Sequence, residues 1–351
     1  MPIDNMLFPA PGINSTASQV NAQPATDISR NRSRTLPQTM TAATIHEYGQ
    51  PKVFQTEQIN LPKLQPDQVL IKIHAASVNP IDYRIRQGQL KTILPAKFPL
   101  TLGYDVSGEI AAIGDNVGTG RLAIGDEVFS FSDNQHGGGY AEYIAVRADV
   151  VVHKPKNLSH TEAAAIPLAA TTALQSLRDL GGIRSGDQVL INGASGGVGH
   201  FAVQLAVGFR ANVTGVCSDS NIDFVRGLGA ETVIDYAVAD FTKQNIKYDI
   251  ILDAVAKSSY WKCRRIMKPG GVYITTVPSV ASFIFRATSW FGRKCRIVWA
   301  RPKQVDLNTL RYAAEDELML PTIFQTYPLA EVARAHEISE DHHVRGKLVL
   351  S

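Results

Sequence analysis

From Met40 to about Leu158 the apolar positions come in short alternating segments, Val69–Ile73, Glu109–Ile113, Asp126–Phe131 and Tyr140–Val146, punctuated by Gly, Pro and Asp. That period of two predicts a small, strongly bent β-domain. Near Ser159 the period changes. Ser159-x-x-Glu162 forms a capping box ahead of an alanine-rich stretch through Leu180, which predicts a helix kinked at Pro167. Between Gln188 and Trp299, apolar runs at Val189–Ile191, Val213–Val216, Thr232–Ile234, Ile250–Asp253 and Val272–Thr276 alternate with helical stripes. Such alternation predicts a parallel sheet covered on both faces, so the fold class is α/β. The C-terminal stretch predicts helices near Leu307–Leu318 and Leu329–Ser339 and a terminal strand, Lys347–Leu350. Residues 1–39, rich in Pro, Ser, Thr, Asn and Gln and without sustained period, read as a disordered extension.

Length adds a domain count: 351 residues at about 150 per domain suggest two. Lys and Arg number 35 against 32 Asp and Glu, a net charge of +3 on no lysine-rich run, which argues against nucleic acid as partner. Three cysteines, Cys217, Cys263 and Cys295, are too few and too scattered for a disulfide framework or a four-thiolate zinc site. A reducing, cytoplasmic compartment is expected. No run approaches the roughly 18 apolar residues of a membrane-spanning helix, since the stretch near Phe283 is cut by Arg286 and Arg293. Arg30, Arg32 and Arg34, opposed only by Asp4 and Asp27, leave organelle targeting open. Extension upstream of a start at Met40 is the blander reading.

The most informative stretch runs from Val189 to Ala206: a buried strand, a glycine turn, then a helix whose Val198, Ala202, Leu205 and Phe209 share one stripe. Ala194-x-Gly196-x-x-Gly199 has the spacing of the dinucleotide fingerprint with alanine in place of its first glycine. Bare backbone lets the pyrophosphate approach, and the amides of Ala194, Ser195, Gly196, Gly197, Val198 and Gly199, with the helix dipole behind them, can bind it without lysine. An NAD site usually has a carboxylate at the tip of the second strand. Here that strand, Ala211–Cys217, ends in cysteine. Ser218, Ser220, Asn221 and Tyr236 can donate to a 2′-phosphate, which favours NADPH. NADH stays open because Asp219 is close by and no Arg or Lys precedes Arg226 in the loop.

At this point several ordered motifs resemble a known family. They are Ala75-Ala-Ser-Val-Asn-Pro-Ile-Asp82, Leu102-Gly-Tyr-Asp-Val-Ser-Gly108, Gly138-Gly-Tyr-Ala-Glu-Tyr143, Gly193-Ala-Ser-Gly-Gly-Val-Gly199, Val233-Ile-Asp-Tyr236 and Gly346-Lys-Leu-Val-Leu350. Together they look like the zinc-independent quinone oxidoreductase branch of the medium-chain dehydrogenases/reductases. The resemblance implies a GroES-like catalytic domain (40–160 and 301–351), an inserted Rossmann domain (161–300) and an active cleft between them. It also implies a homodimer and quinone, enone or 2-alkenal substrates. Zinc-bearing relatives carry cysteine where this chain has Asn79 and histidine where it has Tyr104, so neither family zinc site is expected here.

Without a Lewis acid, the chemistry that fits is hydride transfer to a conjugated carbonyl or quinone, whose developing oxyanion needs hydrogen-bond donors. Asn79 is the expected carbonyl polariser, with Tyr83 or Tyr104 a possible proton source and water an alternative. By the resemblance, Thr172 and Val255 lie by the nicotinamide and its ribose, and Lys347 near the cofactor. Blander readings stand beside these. Asn79 before Pro80 can simply start a turn. Tyr104 and Tyr140 can be core-edge aromatics, and Tyr83 can merely shape the pocket. The cysteines read as small buried residues, His200 as a surface residue, and His342 and His343 as part of a solvated loop. Ser279–Arg301, aromatic and basic, reads as a lid followed by a strand, with a membrane-surface segment as alternative. The rival functions are an enoyl reductase of a biosynthetic pathway and a non-catalytic, crystallin-like cofactor-binding protein.

Overall fold

The computed structural model describes residues 36–277 and 294–351. The readings made for residues 1–35 and 278–293, including the arginine-bearing tail and most of the aromatic-basic segment, lie outside these. In chain order the first part holds β1 (Thr39–Ile45), β2 (Phe54–Asn60), β3 (Gln68–Val78), α1 (Pro80–Arg86), β4 (Leu100–Thr101), β5 (Asp105–Ile113), β6 (Glu127–Phe131), β7 (Tyr143–Arg147) and β8 (Val151–His153). Strand β3 is the spine. Its Val69, Leu70 and Ile71 are at most 1% exposed, and it pairs with both β5 and β7. Register shifts at Leu70/Ile71 and Ile73/Ala75 bend it, as an extra residue in an antiparallel ladder does.

Two short helices follow, α2 (His160–Ala164) and α3 (Pro167–Leu174), where the sequence suggested one kinked helix. The capping box is present: Ser159 N donates to Glu162 Oε2 at 2.9 Å. Pro167, lacking an N–H, stands in the first turn of α3 and so starts a new helix rather than bending an old one.

The parallel sheet is built from β9 (Gln188–Asn192), β10 (Asn212–Cys217), β11 (Thr232–Asp235), β12 (Tyr248–Asp253), β13 (Met267–Thr275) and β14 (Lys294–Ile297), in the order β11-β10-β9-β12-β13-β14. Val189, Leu190 and Ile191 of β9 are completely buried, as expected of a strand covered on both faces. Helices α4 (Gly199–Gly208), α5 (Ile222–Gly227) and α6 (Tyr260–Arg264) belong to this layer. The chain winds outward from β9 to β11, then jumps back to β12. That reversal makes the crevice between the C-terminal ends of β9 and β12 the place where such sheets bind ligands.

Helices α7 (Gln304–Glu315) and α8 (Val332–Glu340) and strands β15 (Ile323–Tyr327) and β16 (Lys347–Leu350) complete the chain. Strand β16 returns to the first sheet, pairing antiparallel with β3 so that Leu348 lies opposite Val78. This return sets Lys347 beside the start of α1. No helix among the described residues is long and apolar enough to cross a membrane.

Candidate active site

Gly193 ends β9 at φ +82°, a left-handed conformation suited to glycine, and a Cβ there would stand 2.5 Å from Val255 Cγ1. Val255 therefore lies against the turn, just past β12. At Gly199 a Cβ would meet Gly193 O at 2.0 Å, so the turn closes only on glycine. At Gly196 the nearest heavy atom would be Gly193 O at 3.4 Å. The space a side chain would fill at Gly196 is open for a ligand. Ala194 N and Gly196 N donate to Val216 O at 2.9 Å and to Gly193 O at 3.1 Å, and His200 N to Gly196 O at 3.0 Å, so of the amides expected to bind a diphosphate those of Ser195, Gly197 and Val198 are the ones the turn offers it. Gly193, Ala194, Ser195, Gly196, Gly197, Val198 and Gly199 thus form a cradle that a dinucleotide diphosphate fits. Ala194, in the fingerprint's first glycine position, is buried, and its methyl stands 3.1 Å from where a Cβ on Gly215 would be. Strand β10 makes room for the extra methyl by carrying glycine opposite it.

The opposite wall comes from the first sheet. Lys347 is 3% exposed. Its stem passes under Gly197, where a Cβ would lie 3.3 Å from Lys347 Cδ. Its Nζ donates to Asn79 Oδ1 and, at 3.2 Å, to Val78 O, and stands 3.8 Å from Asp105 Oδ2. Asn79 Nδ2 donates to the same Asp105 oxygen at 2.9 Å, as does Ser77 Oγ at 2.8 Å. Leu168 N, in the first turn of α3, donates to Asp105 Oδ1 at 2.7 Å, where the helix dipole also favours a carboxylate. Burial pushes the Asp105 carboxyl up and the Lys347 ammonium down, and each charge opposes the shift of the other.

This network revises the expected role of Asn79. Its amide orientation is fixed by chemistry, since ammonium only donates and carboxylate only accepts. The side chain is 1% exposed and faces Lys347 and Asp105, so it positions the lysine and does not present an amide to a substrate carbonyl. Asn79 also begins a helix rather than a plain turn, with its N–H donating to Asp82 Oδ2 at 2.8 Å. Asp82 Oδ2 accepts from Tyr140 OH at 2.9 Å, and His336 Nε2 lies 3.3 Å from that hydroxyl. Burial raises Asp82 to about 7 and pushes His336 well below the ordinary imidazole range.

Tyr104 OH donates to Gln135 O at 2.6 Å, so its proton points to the backbone in this arrangement. Burial raises its phenol well above the usual range. Tyr83, 5% exposed on α1, packs edge-on to His342 at 6.2 Å, and burial raises its phenol too. Thr172 donates to Leu168 O at 2.7 Å within α3. At the tip of β10, Asn221 Nδ2 donates to Ser218 Oγ at 2.9 Å, and Tyr236 N donates to Cys217 O at 3.1 Å, placing Tyr236 beside the same loop.

His200 is a second correction. It is completely buried, Nδ1 donating to Gly196 O at 2.9 Å and Nε2 accepting from Thr322 N at 3.3 Å. The sequence showed a histidine at a helix start. It could not show that residue 322 would arrive over it. Asp105 and His336 were missed for the same reason: each acquires its partner through sheet pairing or helix docking, not local spacing. Tyr140, read as a core-edge aromatic, is instead completely buried, with its hydroxyl on Asp82 rather than at the surface. Among the described residues no group of three His, Cys, Asp or Glu is placed to hold a metal ion.

Residues 65–156 match the alcohol dehydrogenase GroES-like domain, and residues 228–350 match a family described as zinc-binding dehydrogenase. The chain is 34% identical to NAD(P)H oxidoreductase RTN4IP1, mitochondrial, of Bos taurus, over 95% of this chain and 94% of that protein. It is 32% identical to NADPH-dependent alkenal/one oxidoreductase, chloroplastic, of Arabidopsis thaliana, over 95% and 85%. The quinone oxidoreductase structure from Coxiella burnetii superposes with a TM-score of 0.81 at 33% identity, covering 89% of this chain and 99% of that one. On these matches the chain belongs to the quinone oxidoreductase-like members of the medium-chain dehydrogenase/reductase superfamily, a family of oxidoreductases.

Proposed function

We propose that the protein reduces quinones or α,β-unsaturated carbonyl compounds by hydride transfer from NADPH, without a metal. The observation that carries this is the Lys347–Asn79–Asp105 network beneath the glycine cradle. A buried ammonium beside Asn79 repels a divalent cation, and neither an amide tied to it nor the Tyr104 phenol tied to Gln135 is a soft zinc ligand. Reduced nicotinamide, when bound, supplies the hydride. The chain's own residues do the rest. Turn amides hold the diphosphate, Val255 and Thr172 flank the nicotinamide end, and Lys347 holds a fixed positive charge where the two layers meet. Tyr83 is the proposed proton donor on the strength of its place on α1, the helix that Asn79 begins beside Lys347; burial raises its phenol and so weakens it as an acid, and water is the alternative donor. Ser218, Asn221 and Tyr236 receive the adenosine 2′ position.

The proposal includes a homodimer, for which β14, the last strand of its sheet among the described residues, offers an edge. It also includes organelle import directed by residues 1–39, as the compartments named for the relatives suggest; a fusion of that segment to a fluorescent protein tests this against a cytoplasmic location. The reaction is tested by following NADPH absorbance with a quinone, a short alkenal, and a saturated alcohol with NADP⁺. Turnover of the first two, untouched by chelator, is expected. Efficient alcohol oxidation, or inactivation by chelator, contradicts the reading. Tyr83→Phe should lower kcat about tenfold or more with the NADPH Kd unchanged.

A further inference from the structure

Residues 257–268 carry five cations and no carboxylate, although the whole chain has a net charge of only +3. They form the loop after β12, helix α6 and the turn into β13, and the crossover from β11 to β12 lies against them. Between the two is a hollow of about 440 Å³, the size of a small-ligand cleft rather than a flat face. Lys243, Lys257, Lys262 and Arg265 line it, with Trp261 as an apolar wall and Asp240 as the one acidic lining residue. Trp261 and Arg265 come to one side because they stand four apart across α6. The indole is 54% exposed, and the Arg264 guanidinium 5.4 Å from its ring centre fixes its plane. Asp240 is already engaged: its Oδ1 accepts from Thr242 N at 3.0 Å and Thr242 Oγ1 at 2.7 Å, and its Oδ2 lies 3.6 Å from Lys243 Nζ. Lys257, Lys262 and Arg265 thus converge with no carboxylate of the lining set between them. Like charges gathered in a concave site repel one another and focus a positive field, and a bound anion relieves that cost. None of these residues belongs to the glycine cradle, the Lys347 network or the loop after β10.

We propose that this hollow is a second anion site, for a small phosphorylated ligand whose phosphate sits among Lys243, Lys262 and Arg265 and whose carbon part lies on Trp261. The arginine fork matches phosphate oxygens, the lysines act as point charges, and the hydroxyl of Ser258, which also lines the hollow, is a further donor. Lipid headgroups carry phosphate too, but a concave site of this volume suits a soluble molecule better than a bilayer surface. The site goes beyond the reductase reading and does not rest on it, since its readout is binding rather than turnover.

Pyrophosphate is titrated calorimetrically into full-length wild type in about 150 mM KCl, both alone and saturated with NADPH. The coenzyme closes the cradle, so heat that persists arises elsewhere, and this comparison needs no variant to fold. In the saturated protein a Kd below about 1 mM is expected. Lys262→Gln combined with Arg265→Gln should weaken it roughly 10- to 100-fold, with the NADPH Kd and the melting temperature as in wild type. Phenyl phosphate should bind wild type more tightly than inorganic phosphate does, and lose that advantage in Trp261→Ala. Loss of the pyrophosphate heat on saturation assigns the anion to the cradle and overturns the proposal, as does unchanged affinity in the double variant. Co-sedimentation with vesicles of phosphatidylcholine and phosphatidic acid in equal parts, without binding of either soluble probe, overturns it in favour of a membrane surface. If wild type takes no NADPH, the reductase reading fails and the double variant still decides the site.

Discussion

The Lys347–Asp105 pair is the residue-scale feature with the largest energetic stake. Asp105 is completely buried and Lys347 nearly so, and a buried charge left alone costs far more than a buried pair is worth. Lys347→Met leaves the carboxylate with neutral donors only, and should lower stability by about 3–5 kcal/mol in chemical denaturation. Adding Asp105→Asn removes the stranded charge and should restore a substantial part of that loss, but not coenzyme affinity. If the double variant is no more stable than the single one, the penalty is packing rather than charge. The cysteines make a smaller test. Cys217, Cys263 and Cys295 are buried, and burial raises their thiols to about 11, about 12 and about 11. Native protein should resist iodoacetamide at neutral pH and react at all three positions in denaturant; rapid native labelling would place a thiolate at the surface.

At the scale of one element, the cradle separates glycines needed by the fold from those needed by the ligand. A methyl at Gly199 would lie 2.0 Å from Gly193 O, so Gly199→Ala must distort the turn and should unfold at markedly lower temperature. A methyl at Gly196 meets nothing closer than 3.4 Å, so Gly196→Ala should keep its melting temperature while dinucleotide affinity falls at least about tenfold. Calorimetry of both variants with and without NADPH checks the pair; equal melting losses would mean both glycines serve the turn. The strand–turn–helix was legible because its signal is local: a buried run, a glycine spacing and a helical stripe within a few turns of chain. The parallel sheet was legible by alternation, and strand β16 by its apolar run. The side chains around Asn79 were half legible. The residue was in view, but its role is set by Lys347, which lies 268 positions away in sequence. Pro167 was assigned to the right region with the wrong consequence, because sequence cannot tell a kinked helix from two helices meeting at a proline.

For the whole molecule the question is what keeps the two layers in register: one apolar cluster runs through both, and polar contacts between α4 and the segment before β15 add direction to it. Gln204 of α4 both donates to Leu320 O at 3.0 Å and accepts from Leu320 N at 2.9 Å, and His200 takes the N–H of Thr322. His200 can do so only as neutral imidazole, because Nδ1–H is already given to Gly196 O. Burial lowers its pKa to about 4. Unfolded, the group titrates near 6.5, so between about 6.5 and 4 the unfolded chain holds a proton that the native chain does not. The stability due to His200 is therefore complete above about pH 6.5 and is lost as pH falls toward 4. His336, also pushed down by burial, acts in the same direction. Asp82 acts in the opposite one: raised to about 7, it keeps a proton in the native state that the unfolded state has released, so its contribution is lost as pH rises from about 4 to 7. These effects overlap, and the wild-type profile alone cannot assign either. The difference between wild type and His200→Gln can, since glutamine donates and accepts but does not titrate. Relative to that variant, wild type should lose up to about 1.4 kcal/mol per pH unit between pH 6.5 and 4.5, measured by urea unfolding. Parallel profiles would mean that His200 titrates alike in the folded and unfolded chains, so that neither burial nor the bond from Thr322 holds the imidazole neutral.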